Sequence, residues 1–185
     1  MIGTNKKTRK KAKIELEIPE KSLKPMRDEF GVDIINDLLM LGKNRLPEEA
    51  PYVITMNKFY LKSINRSPKD RTQIIETNEY PLFFGFGEGA ELHKYSITVL
   101  AGGKENFLEE SSNWIDTYED FFTIARPHNI IDYNLRFNIS YSNRSYDGLW
   151  FGMVFNENAE MDKIVGVSFN FFVTNSYEPV ELGEE

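Results

Sequence analysis

The residues of this chain that are best suited to chemistry are its two histidines, His93 and His128. A histidine can act as an acid, a base or a metal ligand near neutral pH. These two do not stand at the short spacing of a histidine metal motif, and no serine lies in a G-x-S-x-G pattern. The chain has no cysteine, which excludes thiolate ligands and thiol nucleophiles. The sequence therefore predicts no catalytic residue, no metal site and no cofactor, with structural or surface roles for both histidines.

Two other segments have a weak likeness to ligand-binding loops. Gly85, Gly87 and Gly89 alternate with other residues, but both the Walker and the Rossmann spacings are absent. A turn is therefore the favoured interpretation of these glycines. The acidic stretch 157–162 has oxygen ligands for calcium but lacks the spacing of an EF-hand loop, which favours a solvated loop.

The charges are distributed unevenly along the chain. Because the whole chain carries −7 and residues 1–13 carry six cations and no anion, residues 14–185 carry −13. An acidic surface gains nothing from counterion release on phosphates, so this balance argues against a nucleic-acid-binding domain. The basic start is consistent with nucleic-acid binding, targeting, docking onto an acidic protein or a merely solvated terminus. Opposite charge favours docking, and we expect the basic start to contact an acidic protein surface.

The candidate assembly residues are charged positions in segments that are expected to be exposed. They lie in the basic start, in the loop predicted at 65–72 and in the acidic C-terminal tail. These residues are Lys6, Lys7, Arg9, Lys10, Lys11, Lys13, Arg66, Lys69, Asp70, Arg71, Glu181, Glu184 and Glu185.

The pattern of apolar residues divides the 185-residue chain into three predicted segments. Residues 1–50 are predicted to form a basic arm, with a strand-like run at 14–18, a short helix over 33–41 and a proline-containing linker. Residues 51–175 form the main domain, and residues 176–185 form an acidic tail. A chain of this length can bury a substantial core in one domain. No apolar run approaches the roughly 20 residues that a helix needs to cross a bilayer.

Within the main domain, apolar residues mostly alternate with polar ones, which is typical of strands. The predicted strands cover 53–61, 73–77, 80–86, 92–100, 135–141, 146–156 and 165–173. One clear helix is predicted over 106–125, where apolar residues keep helical spacing until Pro127. The predicted fold class is mainly β: an antiparallel β-sandwich or barrel with one flanking α-helix, plus the N-terminal arm with its short helix.

Aromatic side chains provide an alternative function. Tryptophan rings at a surface bind sugars or bases by stacking, and Trp150 and Trp114 are the candidates for such a platform. This alternative is a ligand- or carbohydrate-binding β-sandwich module. At strand spacing, however, such rings more often belong to a core.

The block from 134 to 174 resembles the closing half of bacteriophage tail tube-type proteins. It has a helix before it, a long hairpin whose second strand opens with glycine and an aromatic, and a last strand with alternating phenylalanines. The stretch 74–87 is similar to the first half of that class, so the resemblance covers about 52–175. The first 50 residues depart from a minimal tube protein.

This resemblance implies a structural, non-enzymatic virion protein of a phage tail, made in the host cytoplasm. It implies a β-sandwich with one helix, of which six copies close a ring by joining their sheets into a continuous barrel. The implied partners are further copies of the chain, in a hexamer, and other tail or baseplate proteins. DNA is expected to pass through the lumen without specific binding. The departure in the first 50 residues leaves open the tube itself, the ring that initiates it, or another baseplate component.

Overall fold

A computed structural model of the protein describes residues 12–67, 70–76, 81–88, 91–100, 114–157 and 164–177. These residues form nine strands and four helices. The helices are α1 (Glu20–Phe30), α2 (Val32–Leu39), α3 (Trp114–Ile124) and α4 (Pro127–Asp132). The strands are β1 (Lys13–Ile18), β2 (Tyr52–Met56), β3 (Phe59–Arg66), β4 (Asp70–Glu76), β5 (Pro81–Glu88), β6 (Glu91–Leu100), β7 (Arg136–Tyr141), β8 (Arg144–Glu157) and β9 (Ile164–Tyr177).

Seven of these strands form one antiparallel sheet in the order β2-β1-β7-β8-β9-β6-β3. The remaining two, β4 and β5, pair with each other as a separate hairpin that is inserted between β3 and β6. Every sheet strand except β1 lies at or near a position that the alternation predicted within the main domain. The prediction of a mainly β, antiparallel fold is therefore confirmed.

The connection between β2 and β3 shows that the large sheet is curled. These strands lie at opposite edges of the sheet, yet only residues 57–58 separate them. A flat sheet of seven strands would hold its edges about 29 Å apart at ~4.8 Å per strand spacing. Three Cα steps span at most about 11 Å. The two edges must therefore approach each other at this corner, which corresponds to an open barrel.

The interior of the barrel is filled by side chains from the concave face of the sheet and by α3. In β9, Phe169 and Phe171 are at most 1% exposed, and in α3 the rings of Phe121 and Phe122 are at most 2% exposed. The centroid of the Phe122 ring lies 5.6 Å from that of Phe169. The aromatic face predicted for the helix is thus the face that packs on the sheet.

The helices differ from the prediction at their ends and in number. The expected helix over 106–125 is observed from Trp114 to Ile124, and its expected first part, 106–113, lies outside the described residues. Pro127 does not only stop α3, because it also occupies the first turn of α4. None of the helices in the described part of the chain is long and apolar enough to cross a membrane.

The segment predicted as an arm packs as part of the barrel over its described part, 12–50. Strand β1 lies inside the sheet between β2 and β7, with Ile14, Leu16 and Ile18 at most 1% exposed. The predicted short helix over 33–41 is observed as α2, and α1 was not anticipated. Both helices contribute buried residues to the same core. Residues on both sides of the boundary expected near residue 50 therefore pack into one core.

Candidate functional site

A cluster of polar side chains lies where β3 ends and β6 begins, and it combines the exposed Arg66 with the buried Glu91 and His93. Arg66 approaches Oε1 of Glu91 with two nitrogens, Nη2 at 2.9 Å and Nε at 3.2 Å. His93 places its Nε2 2.7 Å from the same oxygen. Glu91 is 7% exposed and His93 is 1% exposed. A single carboxylate oxygen of Glu91 thus has hydrogen bonds to two side chains, one on the neighbouring strand β3 and one on its own strand β6.

The second ring nitrogen of His93 also has a hydrogen-bond partner. Nδ1 lies 2.6 Å from the hydroxyl of Tyr95. Because the Glu91 carboxylate only accepts, Nε2 carries a proton toward it, and the Tyr95 hydroxyl donates to Nδ1 of the neutral ring. Burial lowers the pKa of His93 and outweighs the opposite effect of Glu91. Burial of Glu91 raises its pKa, but the hydrogen bonds from His93 and Arg66 outweigh this and leave that pKa below its ordinary value.

Aromatic rings enclose the cluster. The ring of Tyr146 meets His93 edge to face at 4.6 Å between centroids, and the Arg66 guanidinium lies 5.7 Å from the centre of the Tyr146 ring. Tyr141 stacks on Tyr146 at 5.7 Å, and burial raises the pKa of Tyr141 to about 12. Burial also raises the pKa of Tyr95. The phenols therefore stay protonated at neutral pH, and a substrate has no direct access to His93. This geometry supports a structural role for the cluster.

We predict that the stability of the protein falls when the pH is lowered below the ordinary histidine pKa of about 6.5. The folded pKa of His93 is lowered, so the unfolded chain binds a proton more readily than the folded one. The contribution of His93 is complete above the unfolded pKa and is lost as the pH falls toward the folded pKa. Urea denaturation across this range should show a smaller pH dependence in His93→Gln. The matched control is His128→Gln, since His128 is exposed on α4. An unchanged pH dependence in His93→Gln would contradict the prediction.

The sequence-predicted contact residues do not come together in one place. Lys13 lies on β1 and pairs with Glu15 at 2.9 Å. Arg66 is the last residue of β3, and its partly exposed side chain pairs with Glu91. Asp70 and Arg71 lie in β4, so the loop predicted at 65–72 is shorter, because β3 continues to Arg66 and β4 begins at Asp70. The other candidates lie outside the described residues: Lys6, Lys7, Arg9, Lys10, Lys11, Lys69, Glu181, Glu184 and Glu185.

A second polar network lies on the convex face of β7 and β8. Asp147 accepts from Arg136 Nε at 2.8 Å through Oδ2 and from Asn138 Nδ2 at 2.7 Å through Oδ1. Ser140 then donates to Oδ1 of Asn138 at 2.7 Å. Both carboxylate oxygens of Asp147 are thus engaged by protein donors. Among the residues that the structure describes, no group of three or more histidine or carboxylate side chains is placed to hold a metal ion.

The tryptophan platform is not supported at Trp150. Its indole Nε1 donates to the carbonyl of Ala125 at 2.6 Å, and its ring meets Phe122 edge to face at 5.5 Å. Trp150 therefore connects β8 to the end of α3 and is not free to form a flat sugar-binding surface. Trp114 begins α3, and its side chain lies outside the described part.

Several large apolar side chains are exposed on the convex face of β6, β8 and β9. Leu92 and Phe172 stand opposite each other in the ladder and are 41% and 39% exposed. Phe151 and Val154 on β8 are 45% and 50% exposed. This surface was not predicted, although runs such as 149–151 and 171–173 are apolar at successive positions and break the strict alternation.

Parts of three strands have an unpaired edge within the described residues. β2 and β3 each end the sheet, and β3 carries Tyr60, which is 66% exposed. β8 pairs with β7 only through residues 144–147, so its second half lacks a described neighbour on that side. Unpaired strand edges present free N–H and C=O groups and are templates for pairing with another chain.

Comparison with known proteins gives a likeness in structure only. No family model matches the sequence, and no curated protein matches it. The fold is similar to that of the SPP1 Dit (gp 19.1) protein, which is described as a paradigm of the hub adsorption apparatus in Gram-positive infecting phages. The TM-score is 0.40 and the sequence identity is 13%. The match covers 66% of this chain and 47% of the Dit chain. The fold is also similar to a chain from the tail of an empty GTA particle with C6 symmetry, with a TM-score of 0.36, 8% identity, and coverage of 69% and 87%. The chain thus spans about half of the Dit chain, and both TM-scores are too low to carry a functional argument.

Proposed function

We propose that this protein is a structural component of a bacteriophage tail that forms or initiates the tail tube at the baseplate by assembling into a ring, with six copies as the expected number. The observation that carries the proposal is an open antiparallel barrel with unpaired strand edges and a hairpin that forms a sheet of its own. The resemblance of residues 52–175 to tail tube-type proteins supports it. The role is non-enzymatic, and the protein is a virion component made in the host cytoplasm.

The unpaired edges favour assembly through sheet pairing. A ring with one heterologous interface type uses two different surfaces of each copy, and both surfaces are covered once the ring closes. The outer edge of β3 and the second half of β8 are two such surfaces on one molecule. Pairing between copies would satisfy their backbone groups and cover Tyr60 and Phe151.

The hairpin also favours a partner. Its ladder sets Ile74 opposite Phe83 and Ile75 opposite Leu82, so two successive pairs consist of apolar residues. No strand of the described sheet pairs with it. Because a two-stranded hairpin alone is marginally stable in water, it gains stability from a neighbouring copy or from another tail protein.

Native mass spectrometry with electron microscopy of the full chain tests the ring. We expect closed rings, and we expect Tyr60→Glu to reduce their population, because a charge on β3 opposes burial against a partner. The matched control is Val32→Glu, since Val32 is 52% exposed and lies on α2 instead of on a strand. A monomer at all concentrations would refute the ring, and rings of equal abundance in Tyr60→Glu would exclude the β3 edge as the interface.

The basic start is proposed to dock onto the acidic surface of a neighbouring subunit, while DNA passes through the lumen unbound. Removing residues 1–11 leaves β1 intact, since β1 begins at Lys13. We expect the shortened protein to lose assembly, and we expect neither form to bind duplex DNA. Light scattering and a duplex-binding titration measure the two properties. If DNA binding is lost while assembly persists, the segment is a nucleic-acid tether instead.

A further inference from the structure

A lysine side chain lies against the free edge of β2. Lys43 stands in the connection between α2 and β2, and its Nζ donates to the carbonyl oxygen of Val53 at 3.1 Å. We propose that Lys43 closes this edge, so that a second copy of this chain does not pair with β2. The inference rests on strand pairing as the proposed mode of assembly, and it deepens that proposal by restricting assembly to the edges of β3 and β8.

The hairpin between β7 and β8 determines which residues of each strand bond to which neighbour. Residues 142–143 alone connect Tyr141 to Arg144, and a hairpin with a two-residue loop closes with a hydrogen-bonded pair. Bonding then alternates along the antiparallel strands. The odd-numbered residues of β7 therefore bond to β8, and the even-numbered residues of β7 bond to β1.

The same alternation continues through β1 to β2. The even-numbered residues of β7 stand opposite the odd-numbered residues of β1, so the even-numbered residues of β1 bond to β2. These stand opposite the even-numbered residues of β2. The remaining two residues of β2, Val53 and Thr55, therefore direct their backbone N–H and C=O groups toward the free edge. The carbonyl group that accepts from Lys43 is one of these outward groups.

The end of α2 fixes the position of Lys43. The backbone N–H of Lys43 donates to the carbonyl of Met40 at 2.8 Å, which closes a turn after the helix. Gly42 within this turn has a φ of 69°, a left-handed conformation that glycine adopts without steric cost. The buried side chains of Leu38 and Leu39 anchor α2 in the same core as β2. The lysine thus reaches the edge from a segment that is itself held against the barrel.

A strand that paired with β2 would have to displace this lysine. Val53 and Thr55 present one N–H and one C=O each, and the side chain of Lys43 already occupies one of these groups. The incoming strand would also cover the ammonium group of a half-buried side chain, and burial of a charge without a partner is unfavourable. Lysine at the edge of a sheet is a known means of preventing pairing with another chain. Lys43 therefore makes β2 a poor template for a second copy.

Native mass spectrometry of the full chain over a range of concentrations tests the closed edge, together with hydrogen exchange at β2. Lys43→Met removes the charge and the donor but keeps an unbranched side chain. We expect this variant to shift toward associated species that the wild-type chain does not form. We also expect the amides of Val53 and Thr55 to exchange slowly in those species, because a second strand then bonds to them.

Two further variants control for charge and position. Arg45→Met should behave as the wild-type chain does, since Arg45 is an exposed cation of the same connection that pairs with Glu48 at 3.4 Å. Lys43→Arg keeps a charged donor at the edge and should also retain the wild-type masses. If Lys43→Met fails to fold by circular dichroism, Lys43→Gln removes the charge with a polar side chain and should show the additional species instead.

Equal masses and equal exchange in the wild-type chain and the folded uncharged variant would overturn the closed edge. Additional species in which the amides of Val53 and Thr55 still exchange rapidly would overturn it as well, because another surface would then be pairing. A wild-type chain that forms no rings refutes only the ring, since the comparison between variants does not require one. Rings in the wild-type chain with no change in the uncharged variant refute only the role of Lys43.

Discussion

Replacing Phe122 with alanine is expected to lower the free energy of unfolding by about 3–5 kcal/mol, the usual range for a buried phenylalanine. Phe122 is 2% exposed and lies between the helix and the sheet. Its ring centroid is 5.2 Å from that of Phe121, 5.5 Å from Trp150 and 5.6 Å from Phe169. These neighbours come from α3, β8 and β9, so they cannot all move to fill the cavity.

The matched control for this substitution is Phe172→Ala, on the convex face of β9. Phe172 is 39% exposed, so its truncation removes less buried surface and leaves no closed cavity. Urea denaturation of both variants measures the difference. Equal midpoints for the two variants would mean that α3 does not close the barrel as described.

The strands of the main domain could be predicted because their alternation is local. The pattern in 165–173 predicted β9, which is observed from Ile164 to Tyr177. The turn that the sequence predicts at 142–145 is shorter in the structure, where residues 142–143 connect β7 to β8. An antiparallel hairpin is defined by residues close in sequence, so turn and strand signals reinforce each other. The position of β1 in the sheet has no such local signal. Its partner β7 is more than a hundred residues away, and only tertiary packing selects it.

Two helices were missed for identifiable reasons. α1 contains Pro25 and many charged residues, which together hide its short buried face of Ser22, Leu23 and Met26. Pro127 was interpreted only as a stop, although proline also fits the first turn of a helix, where its missing N–H has no partner to lose. In both cases proline was interpreted only as a residue that ends a helix, although it also occurs inside α1 and in the first turn of α4.

Part of the polar cluster could be predicted from the sequence. His93 and Tyr95 stand at alternate positions of the strand predicted at 92–100, and Glu91 continues the same alternation one residue before its predicted start. Their contact with Arg66 depends on the register between β3 and β6, with a whole hairpin inserted between the two strands. No periodicity specifies that register. For this reason Arg66 was predicted to lie in a loop, whereas it is the last residue of β3 and pairs with Glu91.

The glycine at position 148 is where the backbones of β8 and β9 come too close for a side chain. A Cβ atom there would lie 2.0 Å from the carbonyl oxygen of Phe172 and 2.9 Å from the ring of Phe171. The ladder is irregular at this point, where Gly148 stands opposite Val173. Backbone atoms cannot move aside as a flexible side chain can. The two strands must separate locally to admit even a methyl group.

We therefore expect Gly148→Ala to destabilise the protein by about 3 kcal/mol, at the upper end of overpacking effects. Gly166→Ala is the matched control on β9, because its Cβ would meet nothing closer than the Asn156 Cβ at 3.7 Å. The same substitution should change the free energy of unfolding little there, because a methyl group fits at an open strand position. Urea denaturation of the two variants under identical conditions measures the contrast. An equal urea midpoint for Gly148→Ala and Gly166→Ala would show that β8 and β9 do not have the described register. The exposed apolar residues of the convex face would then not lie beside each other as described.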